Sequence, residues 1–220
     1  MATFFPDDDD FNADWIKQRL DTGSFRNAAA LRAELVATGM SAEDIERLPS
    51  YVFALREEAE IRKSWGVPNL VGGTLEDAIL IAAEAHRGKE DKGGEPYVLH
   101  PLRVMLKLQG AEERIAAVLH DVVEDTGREL ADLAWMGFSE AVVAALDALT
   151  HRDGESYEEY VERAAANRIA RKVKLADLED NMDVRRLKDF GREDGERFQK
   201  YHKAWRRLTE DGADDGIIGT

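Results

Sequence analysis

Apolar residues recur at three- and four-residue intervals along most of the chain, and strand-like alternation is scarce, which predicts an all-α protein. Short helices are expected at 14–20 and 25–38, separated by Thr22-Gly23-Ser24, with Gly39 ending the second. Ser41 and Asp44 form a capping pair for a helix through Leu48, and Pro49-Ser50 starts another to about Trp65. Breakers then crowd together, Gly66 and Pro68 before Gly72-Gly73, at the clearest boundary in the chain. Beyond it Thr74 caps a helix whose apolar face carries Leu75, Ile79, Ala82, Ala83 and His86. A polar, glycine-containing loop follows at 87–95, then helices at 100–108, 113–124, 130–135, 140–149, 156–166, 169–187 and 193–208. The pattern divides the chain into a helical N-terminal extension (1–70), a helical bundle (71–210) and a flexible tail (211–220).

With 44% hydrophobic residues in 220, there is ample material for a core, and only five prolines interrupt it. Cysteine is absent, which excludes disulfides and thiolate sites, so any transition-metal centre must use histidine and carboxylate. The formal charge of −15 argues against DNA and anionic membranes as partners. It leaves an anionic small molecule open, because a metal and a few cations reverse the field inside one pocket. The opening MATFFPDDDDF has no signal-peptide pattern and no apolar run reaches membrane-spanning length, so a cytoplasmic protein is expected.

The candidate chemistry lies in Ala116-Ala117-Val118-Leu119-His120-Asp121-Val122-Val123-Glu124-Asp125-Thr126. On a continuous helix His120 would face Glu124, and Asp121 would face Asp125. Burying carboxylates beside a histidine is costly unless a cation pairs with them. A solvated helix end is the alternative, and the apolar flanks weigh against it. His100, in Leu99-His100-Pro101, opens a helix beside the polar loop, although a lone His-Pro is more often structural. Asp177 follows an apolar pair and shares a helical face with Asn181, an arrangement also found on ordinary amphipathic helices.

The order His100, His120-Asp121, Asp177 resembles the H…HD…D signature of the HD phosphohydrolase superfamily. Three local stretches are similar, more narrowly, to the hydrolase domain of the RelA/SpoT family and its stand-alone small alarmone hydrolases. They are Ala85-His86-x-Gly88 leading to Gly94-Glu95-Pro96-Tyr97-x-x-His100-Pro101, then Leu119 to Thr126, then Lys174-Leu175-Ala176-Asp177 with Asn181-Met182. The resemblance covers about 74–187 and leaves residues 1 to 70 outside it. It implies an HD-domain helical bundle that removes the 3′-pyrophosphate from guanosine tetra- or pentaphosphate, giving GDP or GTP. It further implies a metal held by His100, His120, Asp121 and Asp177, normally Mn²⁺, with another divalent ion as the alternative. Glu124 and Asp125 would orient the attacking water and shuttle protons, Asn181 would bind the nucleoside, and Lys92 would approach the substrate.

One position departs from the family. The loop carries Asp91-Lys92 where an Arg-Lys pair is usual; an aspartate cannot stack on a base as a guanidinium does, and it would repel phosphate. Val184 also stands where a small polar residue is usual. Metal chemistry is untouched by either change, so an HD phosphohydrolase acting on another nucleotide or pyrophosphorylated substrate is the alternative. A non-catalytic nucleotide-binding regulator is a third reading, which the intact Glu124-Asp125 pair disfavours. His86 and His202 read as structural, His151 as exposed, and Phe198, Tyr201 and Trp205 as core. No region is large enough for a synthetase domain, so synthesis is not expected; a homo-oligomer and functional pairing with an alarmone synthetase are the open partnerships.

Overall fold

In a computed structural model of the protein, residues 28–37, 39–67 and 72–210 are described; the expected 14–20 helix and the 211–220 tail lie outside them. Twelve α-helices occupy the described residues, which contain no strand beyond one antiparallel bridge between Glu90 and Pro96. They are α1 (Ala28–Ala37), α2 (Ala42–Arg47), α3 (Pro49–Ser64), α4 (Leu75–Ala85), α5 (Leu99–Leu106) and α6 (Ala111–Leu119). Then come α7 (Val122–Thr126), α8 (Leu130–Trp135), α9 (Glu140–Leu149), α10 (Tyr157–Ala166), α11 (Arg168–Asn181) and α12 (Arg192–Glu210), with a 3-10 turn at Val184–Arg186. The all-α expectation holds.

The chain forms two compact units, Met1–Gly72 with Ala131–Phe138, and Gly73–Leu130 with Ser139–Thr220. In the first, Ala28, Leu31, Leu35, Ile45, Tyr51 and Ala54 make one apolar cluster, against which Met40, Leu48 and Trp135 pack. The Trp65 indole donates to Asp132 at 3.0 Å, which ties the later segment to the end of α3.

In the second unit, Thr74 and Asp77 form a reciprocal capping box that opens α4, and Ser156 with Glu159 does the same for α10. α6 is the central helix, packing against α4, α5, α9 and α11. Ala116, Ala117, Val118 and Leu119 are completely buried there, and the two alanines allow close helix approach. α11 in turn packs against α5, α6, α9, α10 and α12. The helices that lead into His120-Asp121 and carry Asp177 are therefore direct neighbours.

Three local expectations change. The continuous 113–124 helix is interrupted after Leu119 and resumes as α7 at Val122. His120 Nδ1 lies 2.7 Å from the Ala117 carbonyl, the acceptor that the Asp121 N–H would use in an unbroken helix. The 169–187 helix stops at Asn181, because the Asp183 carboxylate accepts from the Arg185 N–H and starts the 3-10 turn instead. The aromatic stripe of α12 is only partly core: Tyr201 and Trp205 pack on Val161, Leu175, Leu178, Ala204 and Leu208, but Phe198 is 38% exposed. Phe198 falls at the margin of that inner face, its ring beside the exposed His202 at 6.2 Å between centroids.

Leu208 is fully buried in this cluster. Leu208→Ala is expected to lower the unfolding free energy by about 2–5 kcal/mol, through lost transfer energy and the cavity left behind. Urea denaturation checks it, and a change within 0.5 kcal/mol would show that α12 is not held by this cluster.

Candidate metal centre

Four side chains converge where the α6–α7 break meets α5 and α11. His100 is the second residue of α5, and His100, His120 and Asp177 are each about 4–5% exposed. His100 Nε2 lies 3.2 Å from Asp177 Oδ1 and 3.7 Å from Asp121 Oδ2. His120 Nε2 has the mirrored relation, 3.2 Å from Asp121 Oδ2 and 3.7 Å from Asp177 Oδ1. Donors about 2.1 Å from one ion, and at right angles about it, stand about 3 Å apart. Two imidazole nitrogens and two carboxylate oxygens at this spacing fit a divalent cation of nitrogen–oxygen preference with positions left for other ligands. His100, His120 and Asp177 alone already offer atoms within 4.8 Å of one another.

The outer nitrogens and oxygens set this convergence. His120 Nδ1 is turned to the Ala117 carbonyl at 2.7 Å and His100 Nδ1 to Asp180 Oδ2 at 2.7 Å. Each contact makes Nδ1 the donor and leaves the Nε2 lone pair facing the cluster. Tyr97 donates to Asp121 Oδ2 at 2.6 Å. Lys174 takes Asp177 Oδ2 at 2.8 Å while Asn181 donates to Oδ1 at 2.5 Å, so Asp177 presents Oδ1 alone to the two imidazoles. Lys174 itself lies over the Tyr160 ring, 4.9 Å from its centroid.

The electrostatics demand positive charge. Burial opposes charging of the imidazoles, yet Asp177 and Asp180 raise His100, and Asp121 with Asp177 raises His120 well above its ordinary value. Burial pushes Asp121 and Asp177 up, but His120 and Lys174 respectively outweigh it and hold both carboxyls below the usual range. A metal bound at Nε2 would replace the imidazolium protons, and the donor set would then carry two negative charges, offset only in part by Lys174. A divalent ion completes that balance.

The other residues expected at the site are placed as follows. Glu124 and Asp125 stand exposed on α7, the short helix that begins directly after Asp121. Glu124 Oε2 accepts from the His151 N–H at 3.2 Å. Asp125 Oδ2 lies 3.3 Å from both Lys89 Nζ and buried His86 Nδ1, and His86 chiefly lowers its carboxyl pKa. His151 is exposed, as expected. Lys92 is exposed, and its charge interacts with Arg197, Asp194 and Glu193 of α12. Asn181 is exposed and donates its side-chain amide to Asp177 Oδ1. Asp91, expected to repel phosphate, has a side chain only 6% exposed and bonded to Arg186.

Sequence reading missed Tyr97 and Asp180. Tyr97 lies inside the quoted Glu95-Pro96-Tyr97 stretch, three residues before His100, and that proximity was the available signal. Asp180 sits beside Asn181 in a run of acidic residues and has no mark of its own; only the packing of α11 on α5 sets it against His100.

The family description "HD domain" matches residues 78–187, half of the chain. The chain belongs to the HD-domain family. Its HD domain is 33% identical over 110 residues to the bifunctional (p)ppGpp synthase/hydrolase SpoT of Escherichia coli, covering 48% of this chain and 15% of that protein. It is 32% identical over 120 residues to the guanosine-3′,5′-bis(diphosphate) 3′-pyrophosphohydrolase of Aquifex aeolicus, 49% of this chain and 17% of that one. The chain thus matches about a sixth of the length of these relatives. A solved structure described as a metazoan ortholog of SpoT that hydrolyzes ppGpp superposes with a TM-score of 0.51 at 24% identity. The overlap covers 66% of this chain and 96% of that one, a likeness of fold. Among the described residues, no helix is long and apolar enough to cross a membrane.

Proposed function

We propose that the protein is a metal-dependent phosphohydrolase that removes the 3′-pyrophosphate from guanosine tetra- or pentaphosphate, releasing pyrophosphate and GDP or GTP. The observation that carries the reading is that His100 Nε2 and His120 Nε2 each lie 3.2–3.7 Å from both Asp121 Oδ2 and Asp177 Oδ1. The substrate class rests on the activity for which the relatives matched over the same region are named. Bound there, a divalent cation, which we take to be Mn²⁺, supplies Lewis acidity toward a phosphoryl oxygen and lowers the pKa of water. His100, His120, Asp121 and Asp177 would hold it.

The remaining work falls to the chain's own residues. Glu124, exposed on α7, takes the proton of the attacking water, and Asp125 assists in orienting it. As the bond between phosphorus and the nucleoside 3′-oxygen breaks, that oxygen receives a proton from the same acidic pair. Tyr97 and Asp180 keep Asp121 and His100 in place throughout. Lys92 and Asn181 are assigned to substrate contact. A synthetase of the same nucleotide is the partner this activity calls for.

A second reading, hydrolysis of a different nucleotide, is favoured by one observation: Asp91 is bound up with Arg186 and offers no cation to a base. The test is a panel of purine and pyrimidine nucleotides, with and without a 3′-pyrophosphate, incubated with Mn²⁺ and scored for pyrophosphate and phosphate. Turnover of guanosine 3′-pyrophosphates, abolished by EDTA and restored by Mn²⁺, is the expected result. Turnover confined to another nucleotide would move the assignment to the second reading.

A further inference from the structure

The loop at 87–96 and the turn Val184–Arg186 are joined by charge. Both Asp91 oxygens are in use: Oδ1 accepts from the N–H groups of Gly93 and Glu95 at 2.8 and 3.1 Å, and Oδ2 accepts from Arg186 Nη2 at 2.5 Å. The other terminal nitrogen of Arg186 donates to Asp180 Oδ2 at 2.6 Å and to the Asp180 carbonyl at 2.9 Å. Arg103 closes the figure, with Nε 2.9 Å from Asp180 Oδ1 and Nη2 3.6 Å from Asp91 Oδ2. Two carboxylates and two guanidiniums therefore alternate in a ring without net charge. One of its corners, Asp180, bonds His100 Nδ1. Gly93 permits the contact, since a Cβ there would stand 2.6 Å from the Arg186 carbonyl oxygen.

The two carboxylates of this ring are buried while Arg103 and Arg186 are partly exposed, so removing one member leaves a buried charge less well compensated. Without Asp91, two guanidiniums compete for Asp180, the carboxylate that orients His100. The loop also loses the turn that Asp91 Oδ1 holds, and that loop leads to Tyr97, the partner of Asp121. Damage at Asp91 thus reaches two of the four donors by separate routes.

We propose that Asp91 is a positioning residue of the metal centre, acting through Arg186 and Asp180 on His100, and not a residue that touches substrate. The inference rests on the metal-centre reading above. The experiment is a Mn²⁺ titration of the full chain by electron paramagnetic resonance for the wild type, Asp91→Asn, Arg186→Gln and the double variant. Visible spectra of the Co²⁺-loaded forms and steady-state kinetics accompany it.

Asp91→Asn is expected to weaken Mn²⁺ binding by up to about tenfold, the lower end of the effect of a ligand's direct partner, because it acts on His100 through Arg186 and Asp180, and to shift the Co²⁺ bands. The double variant should be about as weak as Asp91→Asn alone, because Arg186→Gln breaks a path that Asp91→Asn already breaks. Wild-type Mn²⁺ affinity and Co²⁺ spectrum in Asp91→Asn, with KM alone altered, would make Asp91 a substrate contact and overturn the proposal. Fully additive losses in the double variant would overturn the path through Arg186. Should Asp91→Asn lose its helical circular dichroism, Arg186→Lys, which keeps the charge but not the two-pronged bond, carries the same expectation. A wild type that binds no Mn²⁺ would sink the metal-centre reading and this inference together. A binding wild type with unaltered variants sinks this inference alone.

Discussion

Replacing Asp121 with alanine is expected to strip the protein of bound metal and to abolish turnover. Asp121 Oδ2 stands within 3.7 Å of both imidazole Nε2 atoms and is the acceptor for Tyr97. Its loss removes one of the two carboxylates that balance a divalent charge. It also leaves the Tyr97 hydroxyl, which is largely enclosed, without its partner. Outer partners of metal ligands are worth about 10–100-fold in metal affinity, so a direct ligand should cost more than about 100-fold. Metal content after dialysis and a Mn²⁺ titration measure this. Wild-type metal content in Asp121→Ala would end the assignment of this cluster as a metal centre. The fold should persist, since Asp121 lies at the α6–α7 break and no helix core depends on it.

Glu124→Gln is expected to separate binding from chemistry. The substitution keeps size and hydrogen-bonding capacity, so the contact from the His151 N–H survives, but the amide takes no proton. Metal affinity should stay within about twofold of wild type while kcat falls by about 10²–10⁴, the usual range for a general base. Glu124 is exposed and joins none of the 3.2–3.7 Å contacts among the four donors, which is why the two effects should part. Wild-type kcat would remove Glu124 from the mechanism. A parallel loss of metal would instead make it a ligand. The two variants together distinguish a protein that cannot hold the ion from one that holds it and cannot use it.

Much of this arrangement is legible in the residues themselves. Helical periodicity, the caps at Ser41 and Thr74 and the breakers around Gly72-Gly73 mark most elements to within a few residues. The apolar run through Leu119 leads its two following ionisable residues into a protein interior, and the absence of cysteine narrows the donors to imidazole and carboxylate. Periodicity fails where side chains compete with the backbone: His120 for the Ala117 carbonyl, Asp183 for the Arg185 N–H. Such competition depends on rotamers, which hydrophobic spacing does not encode.

Asp91 shows the same division most clearly. Read along the chain it is an acidic residue in a polar loop, and its charge suggests repulsion of phosphate. Folded, its charge is cancelled by Arg186, a residue far away in sequence whose own position follows from where α11 stops. By itself, then, the sequence determined an all-α protein whose metal donors must be histidine and carboxylate, because composition and helical period are local properties, and the order His100, His120-Asp121, Asp177 supplied the resemblance to HD domains. Only the tertiary structure decided which atoms of those donors face inward. Those choices belong to Tyr97, Asp180 and the Asp91–Arg186 pair, contacts made when separate segments pack and their charges must find partners, with Lys174 adding its bond to Asp177 from one turn away on α11.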